Sequence, residues 1–177
     1  MGLILKQIFA FFKMLNSDTG SNQIAAGIAC GFILGMTPAL SLQTLLVFLV
    51  ILFFRVQAGA AFLAAFFFKF VAYLLDPAFD SVGASVLELE GLKPLFTTLY
   101  NMPIVPLTRF NNTIVMGSGV VTIALAPAVF ILAKALVIKY RATVVTRFKA
   151  TKFWKALQAT GFYKWYYKYD QLYGSYK

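Results

Sequence analysis

The chain has 177 residues, a formal net charge of +10, 60% apolar residues and only 12% charged ones. An average soluble domain carries about 25% charged residues, and a globule of this size has too much surface to cover with half that supply. A soluble enzyme domain, a disordered tail and an ordinary nucleic-acid module are therefore excluded, and lipid is the expected solvent.

The side-chain inventory narrows the chemistry further. There is no histidine, so imidazole bases, His-based metal sites and Ser-His triads are ruled out. Cys30 is the single cysteine, which excludes an internal disulfide and reads as a small packing residue. No cofactor and no metal site are expected, and no enzymatic activity.

The charge is unevenly placed. Residues 139–177 hold nine basic groups against one acid, whereas the first 138 residues hold seven against five. The positive-inside rule puts such a tail in the cytoplasm, and Lys6 and Lys13 argue for the same side at the other end. Both termini inside requires an even number of full crossings. The composition predicts an all-α integral membrane protein. Its parts are an N-terminal interfacial helix, a Pro-broken re-entrant hairpin, two transmembrane helices and a basic aromatic helical tail.

Taken in chain order, residues 1–21 are an interfacial helix and linker, with Leu3, Ile4, Phe9, Phe11, Phe12 and Leu15 dipping into the headgroup boundary. Residues 23–54 are the longest apolar block. As one helix they would reach roughly 48 Å, against a hydrocarbon core of about 30 Å. Pro38 lacks an N–H and disfavours helical geometry at Thr37, so a break falls there. Either a re-entrant hairpin or two short tilted spans follows, and both return the chain to its starting side. Gly27, Gly31 and Gly35 recur every four residues and form a small-residue stripe, suited to the hairpin's second arm or a neighbouring chain. Beyond the turn, Gln43 and Thr44 join Ser41 as a hydrogen-bonding cluster, which either pins the hairpin or lines a polar path.

The next span, residues 58–75, ends at Asp76-Pro77 and carries Lys69 about two turns before that end. An intramembrane ionisable group is a candidate functional site, although a lysine also snorkels along its own stem. Asp76, Asp80 or a lipid phosphate could serve as its counter-ion. Residues 76–111 form an extracytoplasmic loop, with residues 95–110 too broken by Pro103 and Pro106 to cross. Residues 113–138 are the last span. Pro38-Ala39 and Pro127-Ala128 each follow a Gly-rich stretch, a weak echo of the paired interrupted segments of transporter repeats.

The tail of residues 139–177 interleaves Arg147, Lys149, Lys152 and Lys155 with Trp154, Trp165 and many tyrosines. Such a mixture could stack on single-stranded nucleic acid. It follows directly on a span, so anionic lipid headgroups are the expected partner and nucleic acid is not.

Gly31-x-x-x-Gly35-x-x-Pro38, followed by Gln43-Thr44-Leu45-Leu46, Arg55 and a small-residue helix, resembles the bacterial domain of unknown function 2062 family over roughly residues 20–80. The Asp76-Pro77 end is similar to one subgroup, while Lys69-Phe70 stands where many members carry Asn-Pro. The resemblance implies a small inner-membrane protein. Relatives of that subgroup are typically encoded beside a larger envelope protein, which implies a larger membrane partner; a homo-oligomer is the other arrangement. The functional expectation is a subunit assisting lipid or amphiphile movement or handover, with a structural anchor or assembly factor, or a small ion or metabolite transporter, as alternatives.

Overall fold

The computed structural model describes residues 19–145, with side chains to Thr143. The interfacial helix expected before residue 19 lies outside these residues. So do the tail positions Arg147, Lys149, Lys152, Trp154, Lys155 and Trp165. The described chain is all-helical. Five α-helices follow in order: α1 (Ser21–Met36), α2 (Leu42–Phe53), α3 (Ala58–Leu87), α4 (Lys93–Tyr100) and α5 (Thr113–Tyr140). Short 3-10 turns at Glu90–Leu92 and Val105–Thr108 flank α4. The chain divides after Val137, and the second unit opens with the last turn of α5 and a π-helical turn, Arg141–Val145.

The break expected at Pro38 is present. Thr37 ends α1 in extended conformation, with its N–H still bonded to the Ile33 carbonyl. Ser41, also extended, restarts the helix by accepting from the Thr44 N–H at 3.3 Å. A hydroxyl in this position satisfies one of the unpaired amides of a new helix and is worth roughly 1 kcal/mol.

One expected interruption does not occur. The span from residue 58 does not end at Asp76-Pro77 but continues through Pro77 to Leu87, so the first third of the expected loop is helix. Pro127 lies inside continuous α5, so it makes no break to match the one at Pro38. A proline frees the carbonyl four residues back and crowds the preceding turn, yet it ends a helix only where the chain can begin again. After Pro38 the Ser41 cap supplies that restart; after Pro77 the chain stays helical, and Ser81 Oγ instead donates to the Pro77 carbonyl at 3.0 Å.

The helices α1 and α3 run parallel in close contact, with the Gln57 N–H donating to the Gln23 carbonyl at 3.1 Å to align their starts. Going up the pair, Gly27 faces Ala60, Gly31 faces Ala64 and Gly35 faces Ala65 and Phe68. The stripe therefore docks on α3 rather than on the second arm of the hairpin. The reason is complementary size: Ala60, Ala61, Ala64 and Ala65 give α3 a flat face that the bulky Leu and Phe side chains of α2 lack. Edge-to-face contact of Phe32 with Phe68, 5.1 Å between centroids, closes the upper end of this seam.

Between α1 and α3 the chain returns through α2, which touches α3 through Phe48 and Phe62, 5.9 Å apart. Val47 is the buried residue of α2; most of its other apolar side chains are exposed. The helix α5 runs antiparallel to the upper half of α3 at a second glycine crossing. A Cβ on Gly83 would meet the Thr113 carbonyl and the Gly117 amide, and one on Gly117 would meet the Phe79 carbonyl. Phe32, Met36, Ala72 and Phe79 form a core that Ile114, Val121 and Val129 of α5 cover.

Candidate functional site

The break between α1 and α2 collects the polar groups of an otherwise apolar bundle. Thr37 is fully buried, and its Oγ1 donates to the Ile33 carbonyl at 2.8 Å. Thr44 Oγ1 donates back to the Pro38 carbonyl at 3.1 Å and shares a 3.1 Å contact with Ser41 Oγ. With Thr44 Oγ1 giving its proton to Pro38, Ser41 is the donor of that pair. Each hydroxyl thus has a defined role in the turn.

Lys69 reaches this turn from α3. Its Nζ donates to the Thr37 carbonyl at 3.1 Å, across the seam to the end of α1. No carboxylate lies within ion-pair distance of it among the described residues, so neither Asp76 nor Asp80 is its counter-ion. Nor does the amine turn outward along its own stem. The helix α1 has no basic residue in its own last turn, and a cation at a helix C-terminus offsets the partial negative charge of its unpaired carbonyls. Lys69 supplies that charge from the neighbouring helix.

Gln43 joins the turn to α5. Its Nε2 donates to the Val115 carbonyl at 3.1 Å, and its side chain fills the space where Gly119 has no Cβ. Its Oε1 is buried without a hydrogen-bond partner. The bond to Val115 ties the tip of the hairpin to α5. Gly27, Gly31, Gly35, Pro38, Thr44 and Lys69 also converge on this region or on the seam below it. Asp76 does not: it is part-exposed on α3, away from these bonds. Asp80 instead accepts from Thr113 Oγ1 beside the start of α5. No group of three or more metal-ligating side chains occurs among the described residues.

Above the turn lies an open groove of about 440 Å³, lined by Leu40, Leu45 and Phe48 on one side and Ile104 and Leu107 on the other. Sequence reasoning missed it, because residues 95–110 read as an interfacial loop or half-helix with no partner. It also passed over Gly83, which falls within the expected loop of residues 76–111, and the fully buried Ser118 and Thr122. The last two bond to carbonyls of their own helix, at Ile114 and Ser118. The Gly117-Ser118-Gly119 triplet was the available signal, a run of small residues repeating the character of the Gly27–Gly35 stripe.

These features belong to a helical protein with two helices, α3 and α5, long and apolar enough to cross a membrane. The chain belongs to the family described as "Uncharacterized protein conserved in bacteria (DUF2062)", which matches residues 8–145. An uncharacterized protein of Treponema pallidum (strain Nichols) is 32% identical over 138 residues, covering 78% of this chain and 85% of that protein. No solved structure matches the chain significantly.

Proposed function

We propose that the protein is a multi-pass subunit of the bacterial inner membrane, with both termini cytoplasmic, that assists the movement or handover of a lipid or other amphiphile. It has no catalytic activity of its own in this reading. It works with a larger envelope membrane protein or with further copies of itself, and its basic aromatic tail binds anionic headgroups.

The observation that carries the reading is the polar turn at Thr37–Ser41, held by Lys69 inside an apolar bundle. Lys69 stands twelve residues into α3, roughly 17 Å along its axis, which is near the middle of a ~30 Å hydrocarbon core entered at Ala58. An amphiphile crossing a bilayer must carry a polar group past acyl chains, and hydrogen-bonding groups at that depth lower the cost. Non-helical backbone at such depth is stable where protein covers it or a cavity meets it. Here α3 and α5 cover one side, and the groove opens on the other.

Proteoliposomes with a fluorescent lipid quenched from outside test the proposal. Leaflet exchange at least tenfold faster than in protein-free vesicles is expected. Exchange equal to protein-free vesicles, both for the chain alone and with its co-purified partner, overturns it. A structural anchor is the second reading, favoured by the exposed apolar face of α2. An anchor would retain its partner in mild detergent while moving no lipid. The Gly27/Gly31/Gly35 face cannot serve it, being covered by α3.

A further inference from the structure

The groove above the turn has one apolar length and one polar edge. Leu40, Leu45 and Phe48 wall it on the hairpin side and Ile104 and Leu107 on the other, while Ser41, Thr44 and Thr108 mark the edge. Its volume of about 440 Å³ falls within the roughly 300–1,000 Å³ of small-molecule sites. An open apolar groove of this size suits an acyl chain. It runs into the exposed apolar face of α2, where Leu45, Leu46, Phe48 and Leu49 face outward.

The residue next in sequence to that polar edge is a cation. Arg109 follows directly on Leu107 and Thr108, is exposed, and adopts φ 56° and ψ 28°. It is the non-glycine residue with positive φ among the described residues, a conformation that side-chain-bearing residues other than Asn and Asp rarely adopt. Two backbone bonds hold it there: its N–H donates to the Pro106 carbonyl at 3.0 Å, and its carbonyl accepts from the Asn112 N–H at 3.0 Å. Asn112 in turn caps α5 by accepting from the Val115 N–H at 3.0 Å. No carboxylate pairs with Arg109 among the described residues. An apolar slot for a chain, with an exposed arginine next in sequence to its polar edge, is complementary to an anionic amphiphile.

We propose that this groove seats one acyl chain of an anionic glycerophospholipid whose phosphate lies against the Arg109 guanidinium. The inference rests on the amphiphile reading above and names its substrate class. A planar guanidinium matches two phosphate oxygens at once, and the chain's methylenes replace water along the Leu and Phe walls. The second acyl chain stays in the bilayer along α2.

The test uses the full chain in phosphatidylcholine nanodiscs doped with a phosphatidylglycerol bearing a photoactivatable acyl chain. Labelling is expected to concentrate on residues 39–48 and 104–108. Unlabelled phosphatidylglycerol should displace the probe about tenfold better than phosphatidylcholine does. Arg109→Gln is expected to bring the two competitors within about twofold, and Arg109→Lys to keep part of the difference. Ala39→Trp and, independently, Leu107→Trp fill the groove and should abolish the localised label while the melting profile is retained. Even labelling over the exposed faces of α2, α3 and α5 overturns the proposal, as does an unchanged preference in Arg109→Gln. Leaflet exchange without localised label defeats this site and leaves the functional reading standing. Localised label without leaflet exchange does the reverse.

Discussion

Adding a single methyl group at Gly31 tests the central packing claim of the fold. An alanine Cβ there would sit 2.7 Å from the Ala64 Cβ, 3.0 Å from the Ala61 carbonyl carbon, and closer still to the Ala61 oxygen. Carbon atoms in comfortable contact stand about 3.5–4.0 Å apart, so α1 and α3 must separate by on the order of 1 Å. Two of the three obstacles are backbone atoms, which have no rotamer to change. Opening the seam also loosens Gly27 against Gln57 and Ala60 and Gly35 against Ala65, because one rigid helix carries all three. Overpacking a well-packed core costs typically 1–3 kcal/mol, and Gly31→Ala belongs at the upper end, about 3 kcal/mol. That is roughly a hundredfold in the folding equilibrium. The intrinsic helix preference of alanine, about 1 kcal/mol, works in the opposite direction and is already outweighed. Equilibrium unfolding in mild detergent measures the difference, with Gly91→Ala as the control, since nothing stands within 4 Å of a Cβ at that position. If Gly31→Ala unfolds within about 0.5 kcal/mol of the wild type, the spread expected of an inconsequential surface change, the seam is not what holds α1 to α3.

Gly119→Ala drives a methyl into the Gln43 amide and is expected to cost about 1–3 kcal/mol. In a Gln43→Ala background the same change should cost at least 1 kcal/mol less, and an additive double-mutant cycle would rule out the contact. Lys69→Met leaves the buried Thr37 carbonyl without its donor, a loss of about 1–3 kcal/mol. Amide hydrogen exchange around residues 37–41 should accelerate in that variant, and unchanged exchange would show that Lys69 does not cap α1. Pro127→Ala restores an N–H to the interior of α5 and should raise the melting temperature, the helical penalty of proline being about 3 kcal/mol. A lowered melting temperature would mean that the freed Ile123 carbonyl has a partner which the change displaces.

The break at Thr37-Pro38 was legible because two local signals coincide: a proline that stops one helix, and a serine three residues later that starts another. At Pro77 the first signal stands alone and the helix runs on to Leu87, so proline read without its restart partner misplaces that boundary. The small-residue stripe was legible as an interface, and its partner was legible too in principle, since Ala60, Ala61 and Ala64 repeat on α3 with the same helical spacing. Chain proximity favoured α2 instead. Lys69 stood out as a charge in an apolar run, but its bond to a main-chain carbonyl could not be inferred. Every residue offers a carbonyl, and only the tertiary fold decides which one ends a helix beside it. The groove was illegible for a related reason: Ile104 and Leu107 lie on a connection with no periodicity, and their neighbours Leu40 and Leu45 come from far earlier in the chain.

The turn at residues 37–41 also sets a timetable. Its own hydroxyls can bond as soon as Thr44 is made, but the lysine that completes Thr37 lies 32 residues downstream of it. The carbonyl that receives Gln43 lies 72 residues downstream of Gln43. A chain synthesised from its N-terminus therefore presents α1 and α2 first as an open pair, with a bare glycine edge and an unanswered amide. Both stay so until α3, and later α5, have been made. Whatever meets the nascent chain during that interval meets the small-residue edge uncovered, and any factor that guides its assembly has that window in which to act.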